Sequence, residues 1–110
     1  MSKRDAALLM EDMRGALDKI ARYTAGMERA AFLVDEKTID AVVRNVEIIG
    51  EASKQVPDEF KALHPALPWA QMAGLRNRIV HDYAGIDLEL IWEIVQHSLP
   101  DLRVKLDRLA

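Results

Sequence analysis

The 110-residue chain is half apolar and 30% charged, enough for one shared core but too short for two, so a single domain over 1–110 is expected and a disordered chain is excluded. With 15 Lys and Arg against 18 Asp and Glu its formal charge is -3, which excludes a broadly basic surface and confines any nucleic-acid contact to a local patch, doubled if a symmetry mate supplies a second. Having no cysteine, no apolar run near the roughly 18 residues of a membrane span and no signal-peptide core after Met1, it excludes disulfides, thiolate metal sites and a membrane partner, and a cytoplasmic location is expected.

In chain order, Leu9, Met13, Leu17, Ile20, Thr24 and Met27 recur every three to four residues, and the spacing predicts a first helix from Ser2 to about Met27, with Ser2 and Asp5 as a capping box. Its charged positions, among them Glu11 with Arg14 and Asp18 with Arg22, read as a solvated face of pairs within the helix. A second helix is predicted from Asp35 or Thr38 to Gln55, with Ile39, Val42, Val43, Val46, Ile49 and Val56 inward and Pro57 ending it. Gly50 within that stripe implies close approach of a neighbouring helix. Glu51 beside it either faces a site or is solvated.

Pro57, Pro65 and Pro68 divide the next segment into a short helical turn, Asp58 to Leu63, and a tight connector. A third helix is predicted from about Trp69 to His81, with Pro68 in its first turn and Gly85 marking the turn after it. Asp87 suits the N-cap of a fourth helix with Leu88, Ile91, Trp92 and Val95 inward. Past Pro100, Leu102, Val104, Leu106 and Leu109 resume helical spacing, as a kinked continuation or a short fifth helix. No strand signal of length occurs, so an all-α, up-and-down bundle of four to five helices is expected. Trp69 and Trp92 read as core or interface anchors.

One segment concentrates chemistry: Arg76, Asn77, Arg78, His81, Asp82 and Tyr83 within eight residues. On a continuous helix Asn77 and His81 share a face and Arg76 lies about 140° from His81, so a groove or twofold interface laid there receives both Arg76 and His81. Such a pair suits RNA cleavage by the substrate's own 2'-hydroxyl, which needs no metal: His takes and gives protons near neutral pH, and Arg matches phosphate oxygens. The plainer alternatives are a helix-end His81 on the C-terminal dipole, Arg76 paired with Glu51, and a solvated Arg78 in place of an RNA-binding one. Asn77 reads as orienting His81, and Asp82 as steadying a histidinium or capping the turn. His64 and His97 lack metal-ligand spacing, and no HExxH or Gly-rich phosphate loop occurs, so no metal and no cofactor are expected.

Arg76-Asn77, then His81-Asp82-Tyr83 after three residues, preceded by Pro68-Trp69 and by Asn45 to Ala52, resembles the HepT-like toxins of the HEPN ribonuclease superfamily. The likeness runs over nearly the whole chain, including Ile91-Trp92 and Leu99-Pro100. The resemblance implies a helical-bundle homodimer acting as a metal-independent RNA endonuclease toxin on single-stranded or loop RNA, tRNA among the candidates, with Arg76 and His81 as the catalytic pair and Asn77 beside them. It further implies a minimal, MntA-like nucleotidyltransferase antitoxin that uses ATP to attach AMP to Tyr83, placing negative charge and bulk beside His81. The alternative is a non-catalytic helical module that binds and regulates such a nucleotidyltransferase.

Overall fold

Three aspartates open the three longest helical stretches. Asp5, Asp35 and Asp87 each accept a hydrogen bond from the main-chain N–H three residues on, at 3.0, 3.0 and 3.1 Å, filling part of the need that a helix start leaves unmet. The computed structural model describes residues 5–81 and 85–109, with the backbone alone for His81. In it α1 runs Ala6–Thr24, α2 Arg29–Leu33, α3 Glu36–Gln55 and α4 Asp58–Leu63. The N-cap of α1 is Asp5 itself, so the capping box with Asp5 as its third residue is not formed; Ser2 lies outside the described residues.

α1 and α3 pack along one another. Leu9, Met13, Leu17 and Ile20 face Ile39, Val42, Val46 and Ile49 in one buried cluster, and burying each such side chain contributes on the order of 2 kcal/mol. Thr24, buried at the end of the α1 stripe, turns its hydroxyl back onto the Ile20 carbonyl at 2.8 Å. Two charges of α1 reach across rather than along: Arg14 donates to the Leu106 carbonyl at 2.9 Å, and Asp18 meets Arg103. α2 was not expected. A five-residue helix is too short to show a period, yet it delivers Phe32, fully buried, to within 5.2 Å of the Trp92 ring. That contact confirms Trp92 as a core anchor.

Two boundaries differ from the sequence expectation. The third helix is split at Gly74 into α5 (Trp69–Ala73) and α6 (Leu75–Ile79), and it ends before His81. Val80 turns to extended backbone, and Val80–His81 (β1) pairs antiparallel with Gly85–Ile86 (β2), His81 opposite Gly85. The fourth helix, α7 (Leu88–Glu93), passes through a π-helical turn (Ile94–Ser98) into α8 (Leu99–Asp107) without leaving helical backbone. Pro100 follows directly on the π-helical turn, in which Leu99 bonds five residues back to the Ile94 carbonyl, so the helix changes its hydrogen-bond spacing where a residue without an N–H enters it. Of the two sequence readings, continuation past Pro100 is the observed one. The fold is all-α apart from the two-residue ladder, and among the described residues no helix is long and apolar enough to cross a membrane.

Candidate functional site

α5 and α6 are fixed from below by α3. A side-chain carbon at Gly50 would lie 3.4 Å from the Met72 carbonyl and 3.5 Å from that of Ala73, so the neighbour inferred from Gly50 is the α5 backbone, at a distance where a Cβ would make ordinary van der Waals contact. Trp69 closes the connector: its indole N–H donates to the His64 carbonyl at 3.0 Å, and its ring meets Phe60 edge-on at 6.2 Å.

From that base α6 presents its motif. Leu75 and Ile79 are buried, while Arg76, Asn77 and Arg78 are exposed. At about 100° per residue Asn77 points directly away from the core and the two arginines stand on its opposite flanks. Neither guanidinium takes part in an ion pair or side-chain hydrogen bond among the described residues, a state shared with the exposed Arg22, Arg44 and Arg108, whereas Arg14, Arg29 and Arg103 are paired. The pairing of Arg76 with Glu51 is not formed. Glu51 meets Lys54 at 3.3 Å and shares a shallow depression with Leu9 and Asp12 of α1.

Beyond α6 the helical-face relation between Asn77 and His81 does not hold. The Ile79 carbonyl accepts the Asp87 N–H at 2.7 Å, a bond from outside the helix that fixes its end and starts the ladder. Gly85 closes the return with φ +79°, a backbone that residues with a side chain rarely adopt. The His81 main chain therefore lies two residues past the helix, held across from Gly85. Its imidazole, and the expected roles of Asp82 and Tyr83, lie outside the described residues.

Arg78 lines a small cleft that sequence reasoning missed. The cleft, about 150 Å³, is floored by Met72, Leu75, Leu99 and Leu102 and rimmed by Gln71, Arg78, Ser98, Asp101 and Lys105. The Asp101 to Lys105 spacing hinted at the ion pair they form at 3.1 Å, but nothing local places that pair against α5 and α6. His97 meets Glu93 at 3.5 Å, and His64 packs on Phe60. Among the described residues no group of three or more His, Asp or Glu side chains is placed to hold a metal ion.

The family model described as Ribonuclease HepT-like matches residues 13–109. The chain is 41% identical over 107 residues to a protein of Thermococcus cleftensis named "Probable ribonuclease HepT", spanning 97% of each. It is 40% identical over 101 residues to a protein of Methanocaldococcus jannaschii named as a "Putative RNase", spanning 92% of this chain and 84% of that one. No solved structure gives a significant match.

Proposed function

Because the chain belongs to the Ribonuclease HepT-like family, we propose that it is an RNA endonuclease that works without a metal, the toxin of a toxin-antitoxin pair. One observation supports this reading above the others: exposed guanidiniums without ion-pair partners among the described residues stand on α6 directly before the ladder strand that bears His81. A cation placed so is available to a phosphate, and the proton-transfer residue follows on a backbone of fixed register.

In the reaction a base, His81 or its counterpart in a twofold copy, removes the proton of a ribose 2'-hydroxyl. That oxygen attacks the adjacent phosphorus, the P–O5' bond breaks, and the departing 5' oxygen takes a proton from the other of the two imidazoles, protonated beforehand, or from the same one after it has taken the 2' proton. The products are a 2',3'-cyclic phosphate and a 5'-hydroxyl, so no water or redox partner is consumed. Arg76 stabilises the added negative charge on the phosphoryl oxygens, and Asn77 steadies the imidazole or the phosphate. A homodimer brings two such sets together. Regulation follows the resemblance: a nucleotidyltransferase antitoxin, with ATP as its co-substrate, adds AMP to Tyr83.

The test is cleavage of single-stranded RNA in EDTA. The wild-type chain is expected to yield cyclic-phosphate ends; His81→Ala should retain its helical circular dichroism and melting temperature while losing about 100-fold or more in rate. Cleavage at the wild-type rate by that variant would remove His81 from the mechanism. For the switch, a cognate nucleotidyltransferase with ATP should raise the intact mass by one or more AMP units and silence cleavage, and Tyr83→Phe should abolish both effects. A mass shift that persists in Tyr83→Phe assigns the modification elsewhere.

A further inference from the structure

We infer that the cleft between α5–α6 and α8 is a subsite for a nucleotide flanking the cleaved phosphate, with Arg78 on that nucleotide's phosphate and its base over the apolar floor. The inference deepens the ribonuclease reading and rests on it.

Arg76 and Arg78 stand on opposite flanks of one exposed helical turn, with Asn77 between them. A strand crossing that turn at Arg76 reaches Arg78 within a helix diameter, roughly 10 Å, and there meets the cleft. The volume suits one base rather than a bare ion: about 150 Å³ over Met72, Leu75, Leu99 and Leu102, in a lining about equally polar and apolar, has room for a flat ring, while Gln71 and Ser98 on the rim offer partners to base edges. Charge decides the orientation. Lys105 is engaged by Asp101 at 3.1 Å, which makes the α8 bank nearly neutral and repels a phosphate from Asp101. Arg78, without an ion-pair partner among the described residues, makes the α6 bank the positive one. An acidic peptide would meet the same Arg78, but it leaves the apolar floor uncovered. In a chain of net charge -3, RNA is held by a few such placed contacts.

The test reads binding, not cleavage, so that the two readings separate. A decamer of 2'-O-methyl ribonucleotides, which cannot react, is titrated by fluorescence anisotropy across a salt series. Arg78→Ala should weaken binding about tenfold at low salt and lower the slope of log K against log salt by about 0.7, one phosphate contact on a single strand. Arg78→Lys should retain the slope. Gln71→Trp, which roofs the cleft at an exposed position without changing charge, should weaken binding with the slope intact. Lys37→Ala, at an exposed site on α3, is the control and should change neither. Arg78→Ala or Gln71→Trp binding like wild type would overturn the subsite, as would a wild-type chain that binds no decamer. A chain that shows these binding effects yet cleaves no RNA keeps the cleft and loses the ribonuclease; one that cleaves RNA with both variants binding normally does the reverse.

Discussion

Asn45 is the side chain most at odds with its surroundings. It is 5% exposed, its Nδ2 donates to the Ala41 carbonyl at 2.8 Å, and its Oδ1 is buried without a partner among the described residues. An orphaned acceptor of this kind costs about 1–3 kcal/mol. Asn45→Leu, close in shape and without polar atoms, is therefore expected to be neutral or to stabilise by about 1 kcal/mol, whereas Asn45→Asp buries an uncompensated charge and should lose about 3 kcal/mol or more. Urea denaturation of both variants checks the pair, and a large loss in Asn45→Leu would show that the oxygen is needed. Ser53 gives the contrast: it is fully buried but satisfied, its hydroxyl donating to the Gly50 carbonyl at 2.8 Å. Asp35 is a titrating residue of the opposite sort. The N–H and hydroxyl of Thr38 hold its carboxyl below the usual carboxylate range. A depressed folded-state value means that its contribution is present above the unfolded-state value and is lost as pH falls below about 4 through the folded one.

Among the elements, the short ladder carries the most consequence for its size. Gly85 has φ +79° with open space around it, so Gly85→Ala meets strain and not a clash, and should cost about 1–2 kcal/mol. Because β1 sets where His81 stands, RNA cleavage by Gly85→Ala is expected to fall further than the fraction unfolded accounts for; cleavage per folded molecule equal to wild type would argue against that coupling. The same element shows what the sequence can and cannot display. The stripes of α1 and α3, the start of α3 at one of the two places offered, the Asp87 cap, and α4 between its prolines are local signals and were legible. The end of α6 was not, because the apolar period carries on through Ile79 and Val80 while the bond that stops the helix comes from Asp87, eight residues downstream. α2 escaped for want of length. At the candidate site, the exposure of Arg76, Asn77 and Arg78 follows from the pattern of Leu75 and Ile79. Lys105 and Gln71 join Arg78 only across the cleft that α5, α6 and α8 line together, which no window of sequence contains.

At the scale of the whole molecule, α1 and α8 are fastened together. Arg14 reaches the Leu106 carbonyl, and Arg103 meets both Asp18 of α1 and Asp107 of its own helix, which hold its guanidinium more firmly protonated than usual. These pairs are mostly exposed and individually weak, so stability resides in the shared core. Phe32 is the test of that: it joins α2 to Trp92 of α7, and Phe32→Ala should cost about 3–5 kcal/mol, a large part of the roughly 5–15 kcal/mol available to such a domain. The chemical-denaturation midpoint should shift accordingly, and a shift below about 1 kcal/mol would mean that α2 can detach without loss. The handover from helix to ladder at Ile79 also separates two kinds of spacing. Inserting one residue between Arg76 and Ile79 would swing the arginine by about 100° around the helix axis, while cross-strand pairing would keep His81 facing Gly85. The five-residue step from arginine to histidine is thus a phase relation between a rotating support and a fixed one, and frame-preserving insertions on either side of Ile79 should differ sharply in effect.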